Sequence, residues 1–397
     1  MAARVVELQF GRHVHPVYRE QLHAVPDGWT YHSEDSALFE ATTPTKLVVE
    51  RGARFARARG IGERVALRIV SEAGYVHRIR SCRPTTATII HAAERLLRDP
   101  PVPYVVDFEH ASLFVLYQPA ALERPWARRA LADALLDKRL RFLLGWSDAA
   151  CRSIAGLVPS DVAREVEPKL RTVRPAIRPA TGRFRSRTDS ALRLLFVGTK
   201  FYEKGAVEAV RALRLAREHH DVTMQIVSYV PSEWQAQLAA EPGLVVSAPG
   251  GADLVQRLYR ESDALLFPSH MDTFGYVVLE AMAHALPVLT ADHLALPELV
   301  HDGISGLLFT PENMLYDAQT RLRFRHVLPP PKHFMETLQE PSALYVASIA
   351  SAIGRLASDG ELYERLSRGA LESVTSGALS MQHRRNTLAD VYAAAAS

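Results

Sequence analysis

"LRLLFVGTKFYEKGAVEAVRALRLAREHHDVTMQIVSYV" occupies residues 192–230 and contains the pattern that decides the fold. It starts with a short apolar run typical of a buried strand, followed by a polar loop that holds Lys204 and Gly205. The apolar residues after this loop recur every three or four positions, which predicts an amphipathic helix, and a second apolar run predicts another strand. A strand, a helix and a strand in this order indicate a βαβ unit with parallel strands.

The same alternation continues to about residue 310. Further strands are predicted at 243–249, 263–269, 286–291 and 305–310, and helices at 231–241, 252–262 and 275–285. Short apolar strands that alternate with helices are typical of a parallel sheet covered by helices on both faces. The sequence therefore predicts a Rossmann-like, doubly wound α/β domain over residues 186–375.

The first half of the chain is less regular but fits the same class. Strands are predicted at 63–71, 85–92, 102–110 and 141–148, and helices at 43–59 and 124–140. A second Rossmann-like domain is therefore predicted over residues 1–185.

Three further segments complete the predicted organisation. Residues 171–190 are rich in Pro, Arg and Ser, which is typical of an interdomain connector. Residues 311–341 lack helical periodicity and are predicted to be an inserted loop of the second domain. Residues 376–397 are predicted to form a C-terminal helix that packs back on the first domain.

Bulk composition indicates a globular protein, since 48% of the 397 residues are hydrophobic and 23% are charged. The start of the sequence lacks the pattern of a signal peptide, and no apolar run reaches the roughly 18 residues of a membrane span. The two cysteines, Cys82 and Cys151, are far apart and outside any metal-binding spacing. These features predict a cytoplasmic protein.

Charge is distributed unevenly along the chain. Residues 1–190 carry 30 lysines and arginines against 21 acidic residues, a net charge of +9, whereas residues 191–397 carry 17 against 23, a net charge of −6. Within the basic half, Arg51, Arg54, Arg57 and Arg59 are spaced to share one side of a helix. A solvated helix face would explain this spacing. The alternative is a surface for an anionic membrane or a phosphorylated acceptor, which would place the protein at the inner membrane face.

Two loops of the second half carry charged residues where strands lead into helices, which is where doubly wound domains bind their ligands. Gly198 and Gly205 flank a loop that places Lys204 at a predicted helix start. The free N–H groups of a helix start and a lysine together favour phosphate, although a solvated turn has the same sequence.

The second loop lies in "DTFGYVVLEAMA", residues 272–283, where Asp272 precedes a nearly all-apolar helix that contains Glu280. A helix that is apolar all round is buried, and a buried carboxylate needs hydrogen-bond donors. Those donors are either protein groups or ligand hydroxyls.

A third candidate is His110, which follows the strand predicted at 102–110. A histidine at a strand end is most often a satisfied structural residue. Facing a cleft, it would bind a sugar hydroxyl or steady developing charge.

The second half resembles the donor-binding domain of GT-B glycosyltransferases, in particular the large retaining family 4, also called glycosyl transferases group 1. The stretches that carry the resemblance are "VGTKFYEKG" (197–205), "LYRESDALLFPS" (258–269), "DTFGYVVLEAMAHALPVL" (272–289) and "LPELVHDGISGLLF" (296–309). Asp272 and Glu280 match the family's pattern of an acid, seven residues and Glu. The resemblance implies two Rossmann-like domains that face each other across a cleft.

The family's activity is implied in the same way. It is the transfer of a hexose from a nucleotide diphosphate sugar to a glycan, glycolipid or lipid-linked acceptor, without metal or cofactor. The anomeric configuration is retained because the nucleoside diphosphate departs from the front face. Nucleic acid is not an expected partner, since no aromatic-basic RNA motif is present.

Site residues carried over by the resemblance fall into two groups. The catalytic group comprises Lys204 on the donor diphosphate, Glu280 on the ribose hydroxyls, Asp272 on the transferred sugar, and His110 near the sugar. The donor-binding group comprises Gly198, Thr199, Lys200, Gly250, Thr273, Phe274 and Gly275.

Several positions depart from the family pattern. Thr199 stands where an arginine is common, with Lys200 expected to supply the charge, and Ala285 replaces a usual glycine. "HLALPE" (293–298) replaces a glycine-rich stretch, and the N-terminal region offers only Gly11 for a glycine-rich loop. These departures keep two alternatives open: a degenerate GT-B protein that binds a sugar nucleotide or a partner without turnover, and sugar-nucleotide epimerisation.

Overall fold

The computed structural model of the protein describes residues 4–9, 16–32, 76, 78–80, 85–187, 191–324 and 330–397. The chain divides into two compact units, each of which is described by itself. Unit 1 comprises Met1–Ala176, Tyr316–Pro331 and Met381–Ser397, and unit 2 comprises Ile177–Leu315 and Lys332–Ser380. The predicted helix at 43–59, with its four arginines, and the predicted strand at 63–71 lie outside the described residues, as does Gly11.

The strands of the described residues are numbered in chain order: β1 (Arg4–Gln9), β2 (Trp29–His32), β3 (Arg78–Arg80), β4 (Ile89–Ala93), β5 (Leu96–Arg98), β6 (Tyr104–Phe108), β7 (Leu140–Gly145), β8 (Leu170–Thr172), β9 (Leu192–Lys200), β10 (Val222–Tyr229), β11 (Leu244–Ser247), β12 (Ala264–Phe267), β13 (Val288–Ala291) and β14 (Gly306–Phe309).

The α-helices are numbered in the same way: α1 (Pro16–Gln21), α2 (Pro125–Leu136), α3 (Asp148–Ser153), α4 (Ser160–Val166), α5 (Ala206–Arg217), α6 (Ser232–Ala239), α7 (Ala252–Glu261), α8 (Tyr276–Ala283), α9 (Leu296–Leu299), α10 (Lys332–Gln339), α11 (Ala343–Ser358), α12 (Gly360–Thr375) and α13 (Met381–Ala396). Short 3₁₀ helices occupy Ala111–Val115, Pro119–Glu123 and Glu167–Lys169.

Unit 1 is built on a parallel sheet in the order β2-β1-β4-β6-β7-β8, and β3 and β5 form a separate parallel pair. Every residue of β4 and β6 is buried. Burial on both faces explains why these strands are continuous apolar runs instead of alternating patterns. Their carboxyl ends lead into Glu94 and Glu109.

The C-terminal helix α13 belongs to unit 1 through a buried arginine, Arg384, which is 3% exposed. Its guanidinium donates to the side chain of Gln21 at 2.7 Å and to the carbonyl oxygens of Val173 and Arg174 at 3.1 and 2.8 Å. It also lies 3.5 Å from the buried carboxylate of Asp107. A buried guanidinium needs this many acceptors to offset its desolvation.

Unit 2 is built on a parallel sheet in the order β11-β10-β9-β12-β13-β14. Numbered within the unit, this is the order 3-2-1-4-5-6 of a Rossmann fold, and the direction of winding reverses between β9 and β12. Helix α5 follows β9, and α8 follows β12. The loops of Lys204 and Asp272 therefore lie at the point where doubly wound domains bind their ligands.

Two segments differ from the sequence-based prediction. Strand β8 starts at Leu170, near the end of the predicted first domain. The connector after it is bound to unit 2 by backbone and side-chain hydrogen bonds, among them Ala180 N–H to the Ala283 carbonyl at 2.8 Å. In the predicted insertion at 311–341, the prediction that helical structure is absent was wrong, because Lys332–Gln339 is a helix. Residues 316–331 group with unit 1.

Candidate functional site

An ion pair between Lys204 and Asp272 joins the two loops at the switch point of the unit 2 sheet. The Lys204 ammonium donates to Asp272 Oδ2 at 2.5 Å and to the Met271 carbonyl at 2.8 Å. The side chains retain 19% and 14% of their exposure, so both can meet a ligand. The structure brings these two predicted residues together across 68 positions of sequence.

Glycines make this close approach of the two loops possible. A Cβ on Gly198 would lie 2.8 Å from Cβ and Cγ of Lys204, so a larger residue would push the lysine aside. Gly205 has φ +81°, and a Cβ there would strike the carbonyl oxygen of Pro268. Gly205 is thus needed both for its left-handed backbone and for the contact between the turn before α5 and the loop after β12.

The loop before α8 is shaped by Asp272 and Gly275. The Phe274 N–H donates to Asp272 Oδ1 at 3.2 Å, which orients the carboxylate, and the Phe274 ring is buried. Gly275 has φ +86°, and a Cβ on it would lie 2.6 Å from Cδ2 of Leu296. Thr273, between them, is half-buried.

Asp272 is held in its charged form. Burial favours the neutral acid, but the Lys204 ammonium, its hydrogen bond and the Phe274 N–H outweigh burial and lower the pKa of Asp272. The pair therefore presents a fixed carboxylate and a fixed ammonium at neutral pH. Such a pair can meet sugar hydroxyls on one side and phosphate oxygens on the other.

Glu280 has a different environment. Its carboxylate is half-buried on α8, and the Tyr259 hydroxyl lies 3.2 Å from both Glu280 Oε2 and the Val277 carbonyl. Burial raises the pKa of Glu280 to about 7, against a smaller opposing effect of Tyr259. The Glu280 carboxylate thus accepts a hydrogen bond from one protein donor, Tyr259, and can accept further hydrogen bonds. Ribose hydroxyls would supply them.

The partner of Glu280 is fixed by a residue that the sequence analysis does not single out, Arg185. Its guanidinium donates to the carbonyl oxygens of Tyr259 at 3.0 Å, Ser262 at 2.6 Å and His284 at 3.0 Å. The imidazole of His284 stacks on the Tyr259 ring at 5.4 Å. Arg185 therefore ties the end of α7, and with it the donor to Glu280, to the segment before β9.

His293 is a second residue that the sequence analysis does not assign. It is 5% exposed, and its Nε2 lies 2.7 Å from the Ser269 carbonyl, so this nitrogen carries the proton. Burial lowers the pKa of His293 to about 4. A neutral imidazole thus supports the loop that leads to Asp272.

The remaining predicted donor-binding residues have simpler surroundings. Thr199 and Lys200 end β9 and are exposed. Gly250 precedes α7, and a Cβ on it would lie 2.7 Å from Cδ2 of Leu254. Thr199 and Lys200 thus lie at the carboxyl end of β9, and Gly250 lies on the loop that follows β11.

His110 lies in unit 1, directly after β6, and both of its ring nitrogens are hydrogen-bonded within that unit. Nε2 lies 2.7 Å from the Thr320 carbonyl, and Nδ1 lies 2.7 Å from Ser112 Oγ and 3.2 Å from the Ser112 N–H. The ring of Tyr316 packs 4.7 Å from the imidazole. Burial lowers the pKa of His110 to about 4, so it is neutral.

Metal ligation is not offered by the part of the chain that the structure describes, where no group of three His, Cys, Asp or Glu side chains could hold an ion. Among the same residues, no helix has the length and apolar composition to cross a bilayer.

Comparison with known sequences finds a family match over the region that contains this site. Residues 191–322 match the family model described as "Glycosyl transferases group 1". An uncharacterized glycosyltransferase of Methanocaldococcus jannaschii is 29% identical over 131 residues, which cover 32% of this chain and 33% of that protein. The glycogen synthase of Mycobacterium tuberculosis H37Rv is 34% identical over 137 residues, which cover 33% of each chain. The matched stretches are thus about a third of the length of these relatives. The family match at residues 191–322 contains the loops of Lys204 and Asp272.

Comparison with solved structures covers the whole chain. A glycosyltransferase from Rickettsia africae superposes with a TM-score of 0.58 at 13% identity, over 99% of this chain and 98% of that one. The Anabaena protein HepE, solved in complex with UDP and glucose, superposes with a TM-score of 0.55 at 13% identity, over 98% and 99%. These likenesses show that the protein has the predicted GT-B fold, with a parallel sheet in each of its two units.

Proposed function

We propose that this protein is a retaining glycosyltransferase that moves a hexose from a nucleotide diphosphate sugar to a glycan, glycolipid or lipid-linked acceptor. The observation that carries the proposal is the Lys204–Asp272 pair at the switch point of unit 2, with a contact of 2.5 Å. The match of residues 191–322 to glycosyl transferases group 1 supports the same conclusion. The complex of the similar HepE structure with UDP and glucose supports the choice of donor class.

The chemistry follows from the charges at the pair. When the bond between the anomeric carbon and the donor phosphate breaks, negative charge develops on the departing diphosphate. The Lys204 ammonium can lie beside that charge, which lowers the barrier most if the ammonium is already in place. The two contacts of Lys204, to Asp272 and to the Met271 carbonyl, keep it in place before the donor arrives.

Asp272 and Glu280 have separate roles in the proposal. Asp272, ionised at neutral pH, accepts hydrogen bonds from the transferred sugar. Glu280, half-buried and bonded to Tyr259, accepts hydrogen bonds from the ribose. Ribose binding adds donors to the charged form of Glu280 and lowers its pKa from about 7, so donor binding releases protons between pH 6 and 7.

The alternative of a protein that binds without turnover has one observation in its favour. His110, expected to contact the sugar, has both ring nitrogens engaged by Thr320 and Ser112. Release of nucleoside diphosphate with time distinguishes the two functions, since a binding protein leaves the donor intact.

The first experiment is thermal stabilisation by a panel of UDP-, GDP- and ADP-sugars. A ligand at about 100 times its dissociation constant adds roughly 2.7 kcal/mol to the free energy of unfolding. We expect stabilisation by one nucleotide class, and loss of most of it in the Lys204→Ala and Glu280→Ala variants.

Lys332→Ala is the matched control, because Lys332 is 92% exposed and its ion pair with Glu336 lies on the surface of α10. It should respond to the panel as the native protein does. A flat response of the native protein across the panel contradicts the proposed donor site. Nucleoside diphosphate release that occurs without any acceptor, with the sugar recovered as its epimer, indicates epimerisation instead.

A further inference from the structure

A second polar pair lies directly behind the Lys204–Asp272 pair and is fully buried. Nε2 of His270, in the loop after β12, lies 2.6 Å from Oε1 of Glu208, in the first turn of α5. The two side chains are 3% and 0% exposed. The pair thus joins the same two elements as the Lys204–Asp272 pair, but out of reach of solvent.

The second ring nitrogen of His270 fixes the proton count. Nδ1 lies 2.6 Å from the carbonyl oxygen of Asn313, which can only accept, so Nδ1 carries a proton. One further proton must lie between Nε2 and the Glu208 carboxylate, because two bare acceptors at 2.6 Å would repel each other. With that shared proton, the pair as a whole has no net charge.

Backbone hydrogen bonds connect His270 to the Lys204–Asp272 ion pair. Its N–H donates to the Glu203 carbonyl at 3.0 Å, next to Lys204 in the chain. On the other side, the carbonyl of the following residue, Met271, accepts from the Lys204 ammonium at 2.8 Å. A displacement of the His270 backbone would therefore move both the segment that precedes Lys204 and the Met271 carbonyl that Lys204 contacts.

The groups around the pair come from several elements. Tyr345 of α11 packs its ring 5.5 Å from His270. His293, after β13, and Asp272 lie within electrostatic range of one another, and His270 and Lys204 also act on His293. Glu208 Oε2 has no hydrogen-bond partner among the described residues. Burying such a pair contributes little to stability compared with apolar side chains, so its presence calls for another reason.

We propose that Glu208 and His270 are positioning residues that hold the Asp272 loop against Lys204, and that loss of their contact weakens binding of the donor diphosphate. The second part rests on the proposed function of the site. Without the contact, the Met271 carbonyl and the Asp272 carboxylate no longer hold the Lys204 ammonium in place for the diphosphate.

Two substitutions separate geometry from charge. Glu208→Leu removes the acceptor and leaves Nε2 of His270 without a partner. Glu208→Gln keeps a hydrogen bond, because the amide can donate to a neutral imidazole whose Nδ1 still binds the Asn313 carbonyl. Glu241→Gln is the control. Glu241 accepts at 2.6 Å from Arg214, which lies near the end of α5, away from Glu208 in the first turn of that helix.

A ligand-free measurement tests the positioning role. The pKa of the Asp272 carboxyl, followed by carbon NMR, should rise toward its ordinary value in Glu208→Leu, because Lys204 is no longer held beside it. It should stay low in Glu208→Gln and Glu241→Gln. An unchanged Asp272 titration in a folded Glu208→Leu protein overturns the positioning role, whatever the protein binds.

Calorimetric titration with UDP, GDP and ADP at pH 7 tests the second part. For the nucleotide that binds, Glu208→Leu should weaken affinity about tenfold. Glu208→Gln and Glu241→Gln should bind it as the native protein does. Native affinity in a folded Glu208→Leu protein overturns the role of the contact in donor binding. Absence of binding by all three nucleotides to the native protein contradicts the proposed function, while the Asp272 titration still decides the positioning role.

Discussion

Ala285 and Leu294 are single residues with the positive φ of the left-handed region, +59° and +48° respectively. Both lie where the sequence departs from a glycine of the resembling family. Ala285 is fully buried, and its carbonyl accepts from the hydroxyl of Ser367 at 2.7 Å, so the conformation is held by tertiary contacts. A side chain in this conformation costs free energy.

Ala285→Gly should therefore stabilise the protein. Relief of the left-handed strain is worth about 1 kcal/mol, with little lost packing from a single methyl group. Chemical denaturation measures the effect. Ala283→Gly is the control, because Ala283 lies in α8 with helical geometry and should lose about 1 kcal/mol instead. Destabilisation by both substitutions would show that Ser367 and its surroundings impose no strain at Ala285.

Glu280 combines a stability cost with a proposed binding role. Its pKa is about 7 in the folded protein and 4.5 when unperturbed. The folded protein therefore keeps a proton on Glu280 that the unfolded chain releases between pH 4.5 and 7, and the contribution of Glu280 to stability falls as pH rises through this range.

Glu280→Gln should remove that fall. The amide oxygen can still accept from Tyr259, and no charge is buried, so the variant should be more stable than the native protein at pH 8 by roughly 1–3 kcal/mol. At pH 5 the two should differ little. Thermal denaturation at both pH values checks this, and the affinity for nucleotide should decline in the same variant. Equal stability at pH 8 would mean that Glu280 is well solvated when charged.

Among the loops, the turn before α5 has the strictest requirement for glycine, at Gly205. Gly205 has a left-handed backbone and touches the backbone of Pro268, which cannot move as a flexible side chain can. Gly205→Ala should cost about 2–4 kcal/mol and separate Lys204 from Asp272. Gly251→Ala, in open space before α7, should change stability by less than about 0.5 kcal/mol. Denaturation of the two variants gives the comparison, and similar values would contradict the backbone contact.

The elements of unit 2 could be predicted from sequence because both faces of its sheet are covered. Strands such as β12 and β13 are buried at every position, so they appear as short apolar runs, and α5 shows the spacing of a half-buried helix. Strand β8 was not predicted, because it is three residues long with one exposed arginine. Helix α10 was not predicted either, since it buries only Phe334 and Leu338.

The pairing of Lys204 with Asp272 could be inferred because both follow strands at the switch point, where topology brings loops together. The pairing of Glu280 with Tyr259 could not, because the two residues lie on different helices and no local spacing links them. Local spacing does not link His270 to Glu208 either, since they lie 62 positions apart, and topology brings their segments together without showing which side chains meet. Such contacts depend on how helices pack on the sheet, which periodicity does not specify.

Across the whole molecule, buried histidines and buried carboxyl groups have opposite effects on how stability depends on pH. Burial lowers the pKa of His110, His284 and His293 to about 4. Burial also raises the pKa of Glu280 to about 7 and, with the neighbouring Glu109 charge, raises that of Glu94. The histidines disfavour folding where they would be protonated, and the two carboxyl groups disfavour it where they would be ionised.

Stability should therefore be greatest near pH 6.5. Between pH 4.5 and 6.5 three histidines are protonated in the unfolded chain but neutral in the folded protein. Over the same range two carboxyl groups are protonated in the folded protein but ionised in the unfolded chain. The net difference is one proton, so stability rises with pH by about 1 kcal/mol per unit. Above pH 6.5 the histidines no longer contribute and the carboxyl groups lower stability.

Thermal denaturation from pH 4 to 8.5 should show this maximum. Glu94→Gln should flatten the alkaline side and steepen the rise between pH 4.5 and 6.5, because one of the two opposing carboxyl groups is removed. Glu94 is suited to this test because the described residues give its carboxylate no hydrogen bond to lose. A midpoint that rises steadily to pH 8 would mean that the two carboxyl groups are ionised at little cost in the folded protein. Their burial would then not limit stability, and the buried histidines alone would set its dependence on pH.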